Sequence, residues 1–336
     1  LSSSSNNNIT YNNASGNSGD GIVVSTSSNN NITYNNASGN SWYGIYLDSS
    51  SGNNITNNNA SGNSWYGIRL ESSSNNNITN NNASGNWDGI NLDSSSNNNI
   101  ITNNTASGNT NGIVLYSSSN NNIITNNTAS GNSYGINLWS STNNIITYNR
   151  ITNNTNYGVV ITSSSTGNRI HHNNFINNKP GGKQGYDEAG GNFWNDISEG
   201  NYWSDYDTPG EGCYDTDYNG ICDAAYYLDG GISARDYYPL TTDYNLPGPP
   251  MNLSGVPGNQ TVVLLWQPPL RSGATAITSY RIYRNGSLLA IIGTNTSYID
   301  YNVINGVTYN YKVSAANSVG EGPFSNEISA TPQTVP

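Results

Sequence analysis

A repeat of about 23 residues runs through the amino-terminal half of the chain, from Leu1 to about Lys179. Each copy contains an isoleucine, an asparagine three residues after it and a second asparagine eight residues after it. The repeated isoleucines are Ile9, Ile32, Ile55, Ile78, Ile101, Ile124, Ile146 and Ile170. A fixed period of this length is the signature of a solenoid, in which each copy forms one coil.

A second apolar segment follows in each copy, for example Gly44 to Leu47 and Gly67 to Leu70. Its apolar positions alternate with a variable residue, and this period of two indicates a short strand. Such a coil cannot close a core alone, but stacking coils in register about 4.8 Å apart buries the apolar columns. Asparagine suits the corners, because it tolerates left-handed backbone and bonds to the same amide one coil away. The pattern predicts an all-β fold, with a right-handed parallel β-helix over residues 1–178.

The repeat resembles the NosD-like family of parallel β-helix repeat proteins, which includes archaeal-type surface proteins and carbohydrate-binding or sugar-cleaving β-helices. The resemblance covers about half of the chain. The residues from Gly200 to Tyr206 and from Asp236 to Leu240 look like the segment that often closes such repeats. The resemblance implies architecture more directly than activity, because one fold serves many functions.

Charged residues make up only 9% of the chain, and the formal net charge is −11. This acidity and the lack of a long apolar run argue against nucleic-acid binding and against a membrane span in this chain. The negative charge is concentrated in residues 179–246, which contain thirteen acidic and three basic residues. We interpret this segment as an acidic cap over the last coil, because aromatic residues replace the repeat there.

The cap segment contains residues with the spacing of a calcium-binding loop. Asp215, Asp217 and Asn219 stand at positions 1, 3 and 5 of such a loop. Ile221 would contribute its carbonyl oxygen, and Asp223 stands at position 9. The glutamate usual at position 12 is missing, so a bidentate ligand would have to come from elsewhere. The spacing predicts a structural Ca²⁺ site, and the alternative is a solvated acidic turn.

Cys213 and Cys222 are the only cysteines and bracket that loop. An even pair in a chain with few lysines predicts a disulfide and an oxidising, extracellular setting. The alternative, a metal site built on two thiolates, lacks further ligands. Four N-glycosylation motifs in the last 90 residues also favour an exported protein. Their asparagines are Asn252, Asn259, Asn285 and Asn295.

The second to fourth coils carry aromatic residues before the Gly-Ile strand and acidic residues after it. Because coils stack in register, we expect an aromatic ridge and an acidic ridge about 13–20 Å apart, with a polar floor between them. The residues of this face are Trp42, Tyr43, Tyr46, Asp48, Trp65, Tyr66, Arg69, Glu71, Trp87 and Asp93.

Two interpretations of this face stay open. We favour packing of the rings on their copies or on another subunit, and the alternative is contact with a sugar chain. A bound cation would relieve repulsion within the acidic column, although we expect solvated acids there. The resembled family includes a copper-linked accessory protein, but we expect the adjacent His171 and His172 to be solvent-facing corner residues. Whether the chain is an enzyme stays uncertain, and the absence of known catalytic motifs favours a non-enzymatic role.

From residue 247 the pattern changes to longer apolar strands joined by turns, with a hairpin signal at Asn285 and Gly286. Together with the run from Ala315 to Gly320, residues 247–336 closely resemble a fibronectin type III domain. The resemblance implies that Trp266 is a core residue and that Tyr309 forms the tyrosine corner. Such domains usually act as spacers or interaction modules.

Leu1 is equivalent to Leu47, so the chain begins within a coil. This predicts either a processed piece of a longer protein or a head-to-tail contact with another copy. We expect an extracellular structural or adhesive surface protein that associates with itself or with neighbouring surface proteins, with a filament or a surface layer as the assembly. The alternative is a glycan-binding or polysaccharide-cleaving β-helix that uses the face around Trp42, Trp65 and Trp87.

Overall fold

The coils form two long parallel sheets and a third, shorter one in the computed structural model, which describes residues 1–231 and 233–334. The Asn-Ile-Thr sheet contains Asn8–Thr10, Asn31–Thr33, Asn54–Thr56, Asn77–Thr79, Ile100–Thr102, Ile123–Thr125, Ile145–Thr147 and Arg169–His171. The Gly-Ile sheet contains Ile22–Ser25, Ile45–Asp48, Tyr66–Glu71, Asp88–Asp93, Asn111–Leu115, Tyr134–Trp139, Val159–Thr162, Gly185–Asp187 and Asp229–Gly230. The third sheet contains Thr128–Ser130, Arg150–Thr152, Asn174–Ile176 and Tyr202–Trp203. Neighbouring coils pair in parallel, for example Ile45 with Ile68, which confirms the predicted parallel β-helix.

The chain divides into two units. The first consists of Leu1–Asp205 and Ala225–Pro239, and the second of Tyr206–Ala224 and Leu240–Pro336. Residues 179–246 therefore contribute to both units.

Columns of apolar side chains fill the interior of the β-helix. Ile55 and Ile78 from one sheet and Leu47 and Leu70 from another have no exposed surface. Full burial of such a side chain contributes about 1.5–3 kcal/mol. The same contribution recurs in every coil, because the inward positions repeat with the coil.

Asparagine ladders run along the corners beside this core. The side-chain amide of Asn58 donates to Asn81 Oδ1 (3.0 Å) and to the carbonyl oxygen of Ile32 (2.8 Å), and its backbone N–H also donates to Asn81 Oδ1 (2.9 Å). The predicted amide-to-amide bonding is confirmed, and a further ladder that includes Asn53 and Asn76 accompanies the two predicted columns.

The first unit closes beyond its last coil with aromatic and amide side chains. The rings of Phe175, Trp203 and Tyr226 form a stack with centroid distances of 4.1 and 4.3 Å. Asn201 and Gln184 accept the ladder bonds of the last coil and so continue two of the ladders. A short antiparallel pair, Tyr226–Tyr227 with Arg235–Asp236, completes this end.

Asp236 is buried at the centre of this closing region. Its carboxylate accepts hydrogen bonds from the backbone N–H of Asn201 (2.6 Å), Trp203 Nε1 (3.0 Å) and the backbone N–H of Tyr238 (3.0 Å). Burial raises the pKa of Asp236 to about 7, although these hydrogen bonds favour the ionised form and lower the pKa. A Cβ at Gly200 would lie 1.8 Å from Asp236 Oδ1, so only glycine fits there.

The second unit contains the predicted fibronectin type III domain. One sheet consists of Met251–Gly258, Thr261–Gln267 and Ser297–Asp300, and the other of Ser279–Arg284, Ser287–Ile292, Tyr309–Ala316, Glu321–Phe324 and Ile328–Ala330. Trp266 packs in the buried core with Tyr280 and Tyr311. The Tyr309 hydroxyl accepts a hydrogen bond from the backbone N–H of Ile304 (3.1 Å), as in a tyrosine corner.

A short 3₁₀ helix, Pro209–Glu211, lies in the second unit. Among residues 1–231 and 233–334, no helix has the length and apolar character needed to cross a bilayer.

Candidate functional site

The outward surface of the Gly-Ile sheet, which we call the outer face, consists of three columns of side chains. The central column contains Val23, Tyr46, Arg69, Asn91, Val114, Asn137, Val160 and Tyr186. The column before it contains Tyr43, Tyr66, Asp88, Asn111, Tyr134 and Tyr157. The column after it contains Asp48, Glu71, Asp93, Tyr116, Trp139 and Thr162.

Arg69 joins the two flanking columns across the centre of the second to fourth coils. Its Nη2 lies 2.9 Å from Glu71 Oε2 and 3.5 Å from Asp93 Oδ2. Its guanidinium carbon lies 5.3 Å from the ring centroid of Tyr43 and 5.4 Å from that of Tyr66. One long side chain of the predicted polar floor therefore spans the distance between the flanking columns and neutralises part of the acidic column.

Arg69 and its contacts Tyr43, Tyr66, Glu71 and Asp93 form what we call the Arg69 cluster, and neighbouring side chains bond to its acidic column. The Tyr46 hydroxyl donates to Glu71 Oε2 (2.7 Å), and burial is the main cause that raises the pKa of Tyr46. Asp48 accepts hydrogen bonds from the hydroxyls of Ser25 and Ser49, each at 3.0 Å. The acidic column thus obtains its partners from the chain itself.

Trp42, Trp65 and Trp87 form an exposed column immediately before these residues. The N–H of Trp65 donates to the carbonyl oxygen of Trp42 (3.2 Å), and that of Trp87 donates to the carbonyl oxygen of Trp65 (2.7 Å). Their exposed fractions are 56%, 53% and 58%. The structure brings the three together, and their role in packing or in glycan contact stays a prediction.

Asp88 replaces tyrosine in the first flanking column and is buried. Its oxygens accept hydrogen bonds from Asn91 Nδ2 (2.8 Å) and Asn111 Nδ2 (2.7 Å). Burial raises the pKa of Asp88, while these bonds and the charge of Arg69 oppose the shift. Asp88 is thus part of the polar interior of the face rather than of an exposed ridge.

A groove opens on the outer face beyond the Arg69 cluster, and we call it the aromatic groove. It has a volume of about 310 Å³. Tyr116 and Trp139 form one wall, with ring centroids 5.9 Å apart, and Tyr157 and Tyr186 lie opposite, with centroids 5.3 Å apart. The lining residues are Tyr116, Tyr134, Asn137, Trp139, Tyr157, Val160, Thr162 and Tyr186.

Ionic contacts hold one wall of the aromatic groove in place. The Tyr157 hydroxyl donates to Asp229 Oδ2 (3.0 Å), and Lys179 Nζ lies 2.6 Å from the same oxygen. Lys179 also contacts the Tyr157 hydroxyl. The Tyr186 hydroxyl donates to Glu188 Oε2 (3.0 Å). These contacts fix the direction of the two rings before any ligand arrives.

The aromatic groove was not predicted from the sequence, although its residues continue the columns of the second to fourth coils. Tyr134 stands in the column of Tyr66, and Trp139 stands in the column of Glu71. The signal for them in the sequence is the same column register, which continues beyond the fourth coil.

The loop with calcium-type spacing lies in the second unit. Asp215 Oδ1 accepts a hydrogen bond from the backbone N–H of Asn219 (3.0 Å), and Asp217 Oδ2 accepts one from Asn219 Nδ2 (3.0 Å). Burial, with a further contribution from Asp217, raises the pKa of Asp215 to about 6. Asp223 Oδ2 instead accepts from the backbone N–H (3.1 Å) and the hydroxyl (2.8 Å) of Thr216. A Ca²⁺ site here stays a prediction.

The remaining predicted residues of this loop close it. The backbone N–H of Ile221 donates to Asn219 Oδ1 (2.8 Å). Cys213 and Cys222 form the predicted disulfide, with their Cα atoms 4.8 Å apart. All four asparagines of the glycosylation motifs are exposed, namely Asn252, Asn259, Asn285 and Asn295.

His171 and His172 differ from the expected solvent-facing corner residues. His172 is buried, with an exposed fraction of 7%, and His171 is half-buried. The two Nδ1 atoms lie 2.8 Å apart. His172 Nε2 lies 3.1 Å from Glu199 Oε2 and 3.7 Å from Asp196 Oδ2. Two imidazoles and two carboxylates therefore meet beside the last coil, and we call them the histidine cluster.

The chain is a modular all-β protein of the surface type. It consists of a parallel β-helix, whose outer face carries polar and aromatic columns, followed by a fibronectin type III domain. Residues 1–65 and 59–208 match the family model described as "Periplasmic copper-binding protein (NosD)", and residues 248–331 match the fibronectin type III domain. The chain belongs to the NosD family.

Individual relatives are similar over parts of the chain. A Kelch domain-containing protein of Saccharolobus solfataricus is 37% identical over 33% of this chain and 16% of its own length. Human fibronectin type-III domain-containing protein 3A is 32% identical over 31% of this chain and 9% of its own length. The chain thus spans a sixth or less of these curated relatives. The mannuronan C-5 epimerase AlgE6 A-module of Azotobacter vinelandii has a TM-score of 0.46, with 21% identity over 52% of each chain.

The description of the family model names copper, and the histidine cluster has donor groups that suit it. Imidazole nitrogen and carboxylate oxygen both bind divalent copper. One donor atom each from His171, His172 and Asp196 lies within 4.8 Å of the others. Over residues 1–231 and 233–334, this is the one group of at least three such side chains that meets that distance. In donor chemistry, the residues present fit a copper ion.

Proposed function

We propose that this chain belongs to an extracellular adhesive surface protein that binds a neutral polysaccharide in the aromatic groove. The observation that carries the proposal is the pair of aromatic walls, Tyr116 with Trp139 and Tyr157 with Tyr186, on either side of a floor formed by Asn137 and Val160.

The chemistry of the groove matches that of a sugar chain. The apolar faces of sugar rings stack on aromatic side chains, and sugar hydroxyls bond to amide and hydroxyl groups. Trp139 has an exposed fraction of 52%, so its ring is accessible to a ligand. Asn137 supplies both a donor and an acceptor at the floor. The volume of about 310 Å³ is at the lower end of the range for ligand sites, so the groove suits a short stretch of a longer chain.

The charges on the outer face favour a neutral glycan over an anionic one. None of the groove-lining side chains is a Lys, Arg, Asp or Glu. Lys179 is paired with Asp229, while Glu188 adds negative charge beside Tyr186. The Arg69 cluster, further along the face, is occupied by Glu71 and Asp93. A polymer of sugar acids would meet an excess of negative charge, which opposes binding.

Two features support an extracellular setting. The Cys213–Cys222 disulfide is typical of oxidising compartments. The four exposed glycosylation motifs lie in the fibronectin type III domain, where sugars would not disturb its core. A fibronectin type III domain joined to the β-helix would act as a spacer that presents the groove.

Repeat-matched substitutions test the proposal. Tyr134→Asn and Trp139→Thr install the residues that Asn111 and Thr162 provide in the same columns of neighbouring coils. The double variant should therefore fold, and its affinity for neutral glycans should fall about tenfold or more, because each lost ring contact is worth about 0.5–1.5 kcal/mol. Binding is measured on an array of neutral and acidic polysaccharides and then by calorimetry.

A triple Trp42→Ala, Trp65→Ala and Trp87→Ala variant separates the groove from the tryptophan column. Retained glycan binding in this variant, with loss in the groove variant, supports the proposal. Loss only in the tryptophan variant would move the site to the tryptophan column. A preference for acidic polysaccharides would overturn the assignment of a neutral ligand.

A further inference from the structure

The two histidines of the histidine cluster occupy repeat positions at which earlier coils carry other residues. His171 pairs in the strand ladder with Thr147, and the equivalent positions of earlier coils are threonines. His172 occupies a left-handed corner with a φ of +58°, where earlier coils carry Asn103, Asn126 and, immediately before it, Tyr148. Threonine and asparagine satisfy the backbone at these positions. The coil geometry therefore does not require either imidazole.

A short loop brings two carboxylates to the histidines. Asp196 Oδ1 accepts hydrogen bonds from the backbone N–H of Ser198 (2.7 Å) and of Glu199 (2.8 Å), which shapes the turn. Asp196 Oδ2 is then directed towards His172 Nε2 at 3.7 Å, with Glu199 Oε2 at 3.1 Å. The ring of Tyr148 stacks on His172 with centroids 5.3 Å apart and limits its rotation.

We propose that His171, His172, Asp196 and Glu199 bind one divalent transition-metal ion. Metal–nitrogen and metal–oxygen bonds of about 2.0–2.2 Å place tetrahedral ligand atoms about 3.4 Å apart. Donor atoms of three of these side chains already lie within 4.8 Å of one another, so rotations of the side chains can complete the site. Two carboxylates balance the charge of the ion.

The donor set selects the class of ion. Imidazole nitrogen suits Zn²⁺ and Cu²⁺, whereas Ca²⁺ and Mg²⁺ prefer sites made of oxygen. The competing explanation is an imidazolium–carboxylate pair that only anchors the loop around Ser198. The two explanations differ in whether the histidine cluster binds a metal ion, because an ion pair needs none.

The experiment compares the tag-free chain with a His171→Thr/His172→Asn double variant. This variant installs threonine, as at Thr147, and asparagine, as at Asn103 and Asn126, so the β-helix should keep its circular dichroism spectrum and its melting temperature without added metal. The chain competes with a chromophoric chelator for added Zn²⁺ or Cu²⁺. Excess Ca²⁺ is present throughout, so that sites made only of oxygen ligands are already filled. We expect one ion per wild-type chain and a loss of affinity of about 100-fold or more in the variant, since even removal of outer-sphere partners costs 10–100-fold.

Electron paramagnetic resonance of the Cu²⁺-loaded chain gives a second readout. Signals from imidazole nitrogen should appear in the wild-type chain and disappear in the double variant. Should that variant fail to fold, Glu199→Gln keeps the size of the side chain and should weaken binding by about tenfold or more. Equal binding by the wild type and the folded variants, or no stoichiometric binding of either ion by the wild type, would overturn the proposal. Neither result bears on glycan binding in the aromatic groove.

Discussion

Asparagine at a ladder position uses every polar group that it has. The Asn81 amide donates to Asn104 Oδ1 (3.0 Å) and to the carbonyl oxygen of Ile55 (2.8 Å). Its Oδ1 accepts from the backbone N–H (2.9 Å) and the amide (3.0 Å) of Asn58. No other small side chain carries both a double donor and an acceptor on one planar group. The ladder therefore links three successive coils inside the protein.

Replacing Asn81 with alanine should destabilise the β-helix. The substitution leaves the N–H groups of Asn58 and the carbonyl of Ile55 without these partners, and each buried unsatisfied group costs about 1–3 kcal/mol. We expect the free energy of unfolding to fall by about 2–4 kcal/mol, measured by urea denaturation. Asn82→Ala, at an exposed neighbouring position, is the control and should change it by less than about 0.5 kcal/mol. Equal effects of the two substitutions would contradict a special role for the ladder.

The ladder residues could be predicted because register alone determines which asparagines meet. The Arg69 cluster could not, because its contacts depend on the direction of a long side chain that reaches Glu71 and Asp93 as well as two tyrosine rings. The burial of His172 could not be predicted either, since it depends on the non-repeating loop that carries Glu199.

At the scale of single elements, the disulfide-closed loop gives a prediction about Ca²⁺ and pH. Asp215 must be ionised to bind Ca²⁺, and its pKa is raised to about 6. Without metal, a raised carboxyl pKa stabilises the folded form below about pH 4, the range of a free aspartate, and this contribution is lost as the pH rises through about 6. With metal, stability should instead increase over the same interval, because the ionised site binds Ca²⁺.

Scanning calorimetry at pH 5 and pH 7.5, with Ca²⁺ or with a chelator, tests this expectation. Ca²⁺ should raise the melting temperature of the second unit at pH 7.5 and do so much less at pH 5. Asp217→Ala should remove most of the increase, whereas Asp243→Ala, in the same unit but outside the loop, should not. An unchanged melting curve on chelation at pH 7.5 would leave the loop as a solvated acidic turn.

The loop also shows what spacing predicts at this scale and what it does not. Asp215, Asp217 and Asn219 interact closely, as their alternation implies. Asp223 instead accepts hydrogen bonds from the backbone N–H and the hydroxyl of Thr216, which are the donors that lie nearest to it. Spacing defines which residues can meet, and the donors that surround them decide which do.

At the scale of the whole molecule, the β-helix and the fibronectin type III domain could be predicted from the sequence. The region between them could be predicted only in outline. The β-helix follows from one period, and the fibronectin type III domain follows from alternating strands around Trp266. The closing region has no period, and there Gln184 takes the place of a ladder asparagine only six residues after Asn178. Within the predicted cap segment, residues 206–224 and 225–239 belong to different units, a division that composition alone does not reveal.

Separate cores in the two units predict two unfolding transitions. The β-helix is stabilised by its own isoleucine columns and asparagine ladders, and the second unit by a cluster that includes Ile282 and Val313. Ile282→Ala, at a position without exposed surface, should cost about 2–5 kcal/mol and lower only the transition of the second unit. Asn81→Ala should lower only the other transition. Calorimetry of the full chain with each substitution measures both transitions. A single transition, or a shift of both transitions by either substitution, would contradict independent units, since independent units do not share the cost of a substitution.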